Sequence, residues 1–342
     1  VPAWLDMDLV RRGARINRNY MAHLTPFAIR GAFIATFMNK YSGLPMALTG
    51  ALTGESSVQR VNETASFFTT ATLPGALERF GQGFKAAAMV RLMHSMVRAN
   101  LLTRSQKWDV NVYGIPIPQV DQMPAGTMPA FITAFNIIQR GKRNHFNDHE
   151  RGIVELCRYQ SFLLGLPEDL LPDTPEGIFN TMLTYAATLR DGYDDDTLGE
   201  LTRSTMKAYR PRKRTLRKML YNEAEKGFSK VFFTRTFLRG NDKSLAKQMG
   251  VQPDLFDYAF FLGSNAWIMP RLYGHMLAER IPVVNWFADR FLIRRINELL
   301  VEYGHAEYTT NPDQYAGGGR RKPKAERRKT KEVRREGAKG AL

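Results

Sequence analysis

The chain has 342 residues, of which 44% are hydrophobic and 24% charged, and it carries a formal net charge of +16. This composition predicts a globular protein with a sizeable core and excludes a chain that is disordered throughout. The single cysteine, Cys157, excludes an internal disulfide, and no run of about 18 apolar residues predicts a membrane-spanning helix. We favour a cytoplasmic or peripheral-membrane location, and a signal or anchor upstream of Val1 is compatible with the sequence.

Apolar residues recur at helical spacing along most of the chain, whereas the alternation typical of strands is nearly absent. Thr174 followed by Pro175 has the pattern of a helix start. The proline-rich stretch 110–124 predicts an ordered loop with room for one short strand. The sequence therefore predicts an all-α fold, with helices at 5–22, 27–40, 56–70, 84–102, 129–140, 148–164, 175–190, 196–210, 213–239, 254–262 and 282–303.

The C-terminal residues 316–342 differ from the rest of the chain in composition. From Gly318 onward they contain eleven Lys or Arg and three Glu, with almost no large apolar residue. We therefore predict an all-α domain over 1–315 and a disordered basic tail over 316–342. The tail predicts either peripheral contact with an anionic membrane or a merely solubilising terminus. Specific nucleic-acid binding is not expected, because the tail has no aromatic side chain to stack on bases.

Three polar residues, Arg91, His94 and Arg98, interrupt the most apolar predicted helix. That helix is apolar nearly all round, so we expect it to be central and buried, and spacings of three and four put the three residues on one face. Buried polar groups need partners. A haem would supply them, since its iron takes a neutral imidazole and its propionates take guanidinium groups. The alternative is a histidine hydrogen-bonded within the core, with the arginines paired to Asp or Glu.

A second predicted helix carries Arg60, Glu63, Thr64 and Phe67. Together, Arg60-x-x-x-Thr64-x-x-Phe67 and, about thirty residues later, Val90-Arg-x-x-His94-x-x-x-Arg98 resemble the motifs of the latex clearing protein and rubber oxygenase family. That family includes the MpaB-type oxygenases of fungal meroterpenoid pathways. Weaker resemblances lie at residues 1–4, at 114–127 and at 164–172.

The resemblance implies an all-α fold with a globin-like helical core and additional helices. It also implies a b-type haem whose iron is held by His94, and dioxygen-dependent cleavage of carbon–carbon double bonds in an apolar, isoprenoid-like substrate. Carried over by position, Arg91 and Arg98 are the cofactor-binding companions of His94, and Arg60 and Thr64 line the pocket. Thr127 is a further cofactor-binding candidate. A non-catalytic haem carrier or sensor is the alternative function.

One residue departs from the family pattern. In the latex clearing proteins a lysine that can cap the iron precedes the motif threonine, and here that position is Glu63. A carboxylate suits ferric better than ferrous iron, and Arg60 lies three residues away, where it can form an ion pair with Glu63. We therefore expect Glu63 to be held by Arg60 and the distal position of the iron to be open or filled by water.

Two other groups of residues resemble metal sites less well. His145 and His149 are four apart and could share a metal ion, but their surroundings favour a solvated helix start. The acidic run at 191–196 lacks the glycine and the closing glutamate of a calcium loop, so it predicts a polar turn.

Overall fold

The computed structural model describes residues 2–48, 55–118, 120, 123–141, 143–188, 192–238 and 242–304. Over these ranges the chain forms α-helices joined by short turns, with single 3-10 turns at Thr36–Met38 and Glu168–Leu170, and contains no β-strand. The predicted all-α class is therefore confirmed. The helices are α1 (Met7–His23), α2 (Thr25–Ala35), α3 (Lys40–Leu48), α4 (Glu55–Thr70), α5 (Gln82–Arg104), α6 (Val110–Tyr113), α7 (Met123–Arg140), α8 (Asp148–Leu164), α9 (Pro175–Thr188), α10 (Asp195–Lys207), α11 (Leu216–Thr236), α12 (Lys243–Gln248), α13 (Leu255–Ala278) and α14 (Pro282–Tyr303).

Local signals explain most helix starts. Asn147 and Glu150 form a reciprocal capping box at the start of α8, and Asp254 and Asp257 form another at the start of α13. Gly165 ends α8 in the left-handed conformation that a glycine adopts without strain. These caps satisfy backbone groups that helix ends leave unpaired.

Several helices differ from the prediction, since α3 and α12 were not predicted and α7 begins at Met123, before its predicted start at 129. The helix predicted at 254–262 continues to Ala278, with Pro270 inside it. The stretch predicted as a loop or strand begins with the short α6, because the Asp109 side chain accepts the backbone N–H of Asn111 and caps a helical turn. The predicted disordered tail, 316–342, lies outside the described residues.

The core forms around two packed groups of helices. In the first, α1 packs along α8, with α7 on the other side of α8. The crossing of α1 and α8 is tight, since a Cβ atom on Gly13 would lie 2.0 Å from the carbonyl oxygen of Gly152. In the second group, α2 and α13 both pack on α11. No helix in the described part of the chain is long and apolar enough to span a membrane.

A buried ion-pair network ties the second group together. Arg30 Nη2 lies 2.7 Å from Glu225 Oε2, and Arg210 Nη1 lies 2.9 Å from Glu225 Oε1. Burial opposes charge on Glu225, but the two guanidinium groups outweigh it and hold the pKa of this carboxyl below its usual value. Arg210 Nε also donates to the Asn62 side chain at 3.2 Å, which connects the network to α4. The network therefore fixes the helix that carries Arg60, Glu63 and Thr64.

Candidate functional site

The α4 residues form a local polar cluster. Arg60 Nη1 donates to Glu63 Oε2 at 2.8 Å, and Gln59 Nε2 donates to Glu63 Oε1 at 2.9 Å. Glu63 is buried, with 7% of its surface exposed, so both carboxylate oxygens are held inside the protein. The expected ion pair between Arg60 and Glu63 is thus confirmed. The Thr64 hydroxyl donates to the backbone carbonyl of Arg60 at 3.0 Å.

His94 lies on the inward face of α5, in line with the buried Val97 and Leu101. Burial, together with the positive charges of Arg98 and Arg60, lowers the pKa of His94 to about 4. The imidazole is therefore neutral at pH 7, and it forms no hydrogen bond with the residues that the structure describes. The helices α4 and α5 pack against each other, and the positive charge of Arg60 acts on His94. The structure thus brings together Arg60, His94 and Arg98.

The outward face of α5 is exposed, so the expectation of a fully buried helix is wrong. Leu92 is 53% exposed, and Met89 and Met96 are also exposed. The reason is that α5 packs on α4 and α8, and the part of the chain that the structure describes does not cover its other side. Arg91 belongs to the exposed part of the helix, so its guanidinium group needs no buried partner. Its assignment as a cofactor-binding residue stays a prediction.

Arg98 holds the loop that follows α6. Its Nε donates to the carbonyl oxygen of Pro116 at 3.1 Å, and its Nη2 donates to the carbonyl oxygen of Ile117. Ile117 has a φ of 45°, which is strained for a β-branched residue. Trp108 Nε1 donates to Gly114 at the other end of this loop. Arg98 therefore has backbone carbonyls as partners, where the sequence suggested a carboxylate or a propionate.

Thr127 lies in a different cavity. It lines a small space between α7, α8 and α9 together with Cys157 and Ile178, and none of the other predicted site residues lines that space. A larger cavity of about 340 Å³ lies between α1 and the turn at residues 71–78, and it also contains none of them. Thr127 thus lines a cavity to which the predicted site residues on α4 and α5 do not contribute. Its role as a cofactor-binding residue stays a prediction.

The alternative metal sites have structural explanations. His145 and His149 are both exposed, on either side of the Asn147 cap, and Glu150 is engaged by Arg143. In the acidic run, Asp194 pairs with Lys40 at 3.0 Å. The described residues contain no group of three or more histidine, cysteine, aspartate or glutamate side chains that could hold a metal ion.

Sequence reasoning missed two features of the structure. One is Gln59, whose position four residues before Glu63 on a helix was a usable signal. The other is a stacked pair formed by His23 and His275, with ring centroids 5.2 Å apart. These two histidines are far apart in the chain, so no local pattern could have joined them.

Comparisons with known proteins agree with this architecture. A family model described as the ER-bound oxygenase mpaB/B'/rubber oxygenase catalytic domain matches residues 18–263. The solved structure of latex clearing protein LCP in the closed state superposes with a TM-score of 0.50, at 17% sequence identity, covering 88% of this chain and 76% of that chain. At this identity the superposition shows a shared fold, in agreement with the predicted globin-like helical core. A search of curated proteins gave no significant match.

The family match covers both motif helices and the helices that pack around them. Arg60, Glu63 and Thr64 on α4 and His94 and Arg98 on α5 all lie within the matched residues. The family match therefore confirms the resemblance that the two motifs indicated, and it extends over most of the described chain. This chain belongs to the MpaB and rubber oxygenase family, a family of oxygenases.

Proposed function

We propose that this protein is a haem-dependent oxygenase that uses dioxygen on an apolar, alkene-bearing substrate, with His94 as the iron ligand. The observation that carries the proposal is the state of His94. Its imidazole is neutral, has no hydrogen bond to the described residues, and lies on α5 under the influence of the positive charges of Arg98 and Arg60. A neutral imidazole is the form that binds iron.

The surroundings of His94 suit a haem of the b type. Its porphyrin is apolar, and the apolar cluster between α4, α5 and α8 includes Phe67, Ala87 and Leu164. Its propionates are anionic, and Arg98 and Arg60 lie close enough to His94 to affect its charge. When bound, such a haem supplies the iron that activates dioxygen. In this arrangement His94 would hold the iron. Arg98 would hold the loop at residues 114–118 and would also contact a haem propionate.

We assign the α4 residues to orienting the bound oxygen or the substrate. Arg60 commits Nη1 to Glu63, which leaves its other N–H groups to donate elsewhere. The Thr64 hydroxyl can keep its bond to the Arg60 carbonyl and still accept one. Glu63 is held by two donors, and breaking a buried ion pair is costly. Glu63 therefore stays with Arg60 and is a positioning residue for that guanidinium group.

An apolar substrate is supported by the walls of the site. Glu63 is the acidic group in the α4 cluster, and Arg60 neutralises it. One turn further along α4, Phe67 forms an apolar cluster with Ala87 and Leu164, and Phe68 and Val90 pack against this cluster. Burying apolar substrate surface against such walls is favourable, whereas a charged substrate would lose its hydration.

The decisive experiment tests His94 directly. Protein expressed with sufficient haem should show a Soret band with extractable haem b, and His94→Ala should lose most of it. His145→Ala, which changes an exposed histidine, is the matched control and should keep full haem content. A colourless unmodified protein, or equal haem in His94→Ala, contradicts the proposal.

Turnover separates an enzyme from a haem carrier or sensor. Oxygen uptake with a polyisoprenoid alkene should depend on the substrate, and Arg60→Ala and Thr64→Ala should keep haem but lose this activity. Haem binding without any substrate-dependent oxygen uptake would favour the carrier or sensor.

A further inference from the structure

The last two helices of the described chain expose an unusual amount of apolar surface. Along α13, the outward positions Leu255, Leu262, Tyr273 and Leu277 lie on one face at helical spacing, and all are exposed. The residues between them on this face are Ala259, Ala266 and Pro270, so the face carries no charge along the whole helix. Monomeric proteins rarely leave such continuous apolar surface in water.

Exposed apolar side chains are most closely spaced at the turn between α13 and α14. We call this region the hairpin tip and define it by Tyr273, Leu277, Ile281, Val283, Trp286 and Phe287. All six side chains are exposed, with Val283 at 70% and Phe287 at 64%. The turn is regular, because the N–H groups of Arg280 and Ile281 donate to carbonyls of α13 at 3.1 Å. The tip is therefore an ordered, exposed apolar element.

At the hairpin tip, the basic side chains are exposed, whereas the acidic side chains are paired or partly buried. Arg280 and Arg290 are exposed, and the guanidinium carbon of Arg290 lies 3.8 Å from the ring centroid of Trp286. The acidic residues point inward instead, since Asp289 pairs with the buried Arg18 and Glu279 is only partly exposed. The surface that the tip presents to solvent is thus apolar at its centre and cationic around it.

This combination fits one kind of partner. Tryptophan and tyrosine side chains favour the boundary between lipid headgroups and acyl chains, and arginines beside them contact anionic headgroups. A second copy of this chain would place like charges against each other around the tip, and each copy already carries a net charge of +16. Charge complementarity therefore favours an anionic lipid surface over self-association.

We propose that the hairpin tip docks in the plane of an anionic lipid surface and holds the protein there as a peripheral membrane protein. The docking residues lie at or beyond the end of the family match at residue 263, so the proposal concerns a property of this chain. It also differs from contact through the basic residues after Gly318, because it predicts an apolar, salt-resistant component of binding.

Vesicle co-sedimentation of the full chain tests the proposal without any measurement of turnover. The unmodified protein should bind vesicles of phosphatidylcholine mixed with phosphatidylglycerol, and part of this binding should persist at high salt. The double variant Leu277→Ser/Phe287→Ser should bind about tenfold or more weakly, because two large apolar side chains no longer enter the lipid. Both positions are exposed, so the variant should fold normally by circular dichroism.

Two further variants sharpen the test. Leu216→Ser alters an equally exposed apolar residue at the start of α11 and should bind as the unmodified chain does. Arg280→Gln/Arg290→Gln should weaken binding to the mixed vesicles by about fivefold per charge and leave binding to pure phosphatidylcholine unchanged.

Salt-resistant binding that is equal in Leu277→Ser/Phe287→Ser and in the unmodified chain would overturn the proposal. The absence of vesicle binding by the unmodified chain would overturn it as well. If that chain were also a dimer that the same double variant dissociates, the tip would contact a second copy.

Discussion

The stacked pair of the buried His23 and the half-buried His275 makes the fold sensitive to acid. His23 is 2% exposed, and neither of its ring nitrogens has a hydrogen-bond partner among the described residues. Burial, reinforced by His275, Arg271 and Arg295, lowers the pKa of His23 to about 4. Burial also lowers the pKa of His275. No carboxylate appears among the groups that act on His23, so protonation adds an unpaired positive charge to the interior.

The size of the effect follows from the two protonation states. The ordinary pKa of histidine is 6.5 and that of folded His23 is about 4, so between these values the unfolded chain binds more protons than the folded chain. Stability is therefore complete above pH 6.5 and is lost as the pH falls towards 4. At about 1.4 kcal/mol for each pH unit, His23 should account for roughly 3 kcal/mol of acid destabilisation.

Replacing His23 by phenylalanine removes the titration and keeps a flat aromatic ring in the stack. Because the ring nitrogens of His23 make no hydrogen bond to the described residues, His23→Phe should lose little stability at neutral pH. Urea unfolding, followed by tryptophan fluorescence at several pH values between about 7.5 and 4.5, should show a shallower acid loss in His23→Phe than in the unmodified chain. His145→Phe, at an exposed position, is the control and should keep the original slope.

The histidine at position 94 is unchanged in all three proteins, so its own acid titration cancels in the comparison. An acid loss of equal slope in His23→Phe and the unmodified chain would refute the assignment to His23. It would show that the folded and unfolded chains protonate His23 equally readily, so that folding does not lower its pKa.

Three other substitutions test the packing on which the site depends. Glu225→Gln leaves two buried arginines without a counter-charge and should destabilise the chain by about 3–5 kcal/mol, measured by urea unfolding. Gly13→Ala forces α1 away from α8 and should lower stability by about 1–3 kcal/mol, whereas Gly263→Ala, where an added Cβ meets no atom within 4 Å, should not. Arg98→Lys keeps the charge but loses the forked contact with the loop carbonyls, so limited proteolysis should cut residues 114–118 faster; equal rates would show that the loop is held by other contacts.

Local chemistry determined which parts of the sequence become helices. The prediction of 148–164 coincides with the observed α8, which begins at the reciprocal cap formed by Asn147 and Glu150. The length of α13 could not be read from local chemistry, because Pro270 and the glycines inside it favour a break. Packing of Ile268 and Leu272 against Phe27 and Phe228 carries the helix past these residues.

The sequence by itself also determined which side chains share a helix face. Spacing of four places His94 with Arg98 and Arg60 with Thr64, since the geometry of a helix turn is the same in every fold. The tertiary structure alone decided what those faces meet. In the folded chain, Arg98 donates to the carbonyls of Pro116 and Ile117, and Arg91 is exposed. His23 stacks on His275, which lies 252 positions away in the sequence. Such contacts depend on where whole helices pack, and packing is a property of the assembled core that no local window of sequence contains.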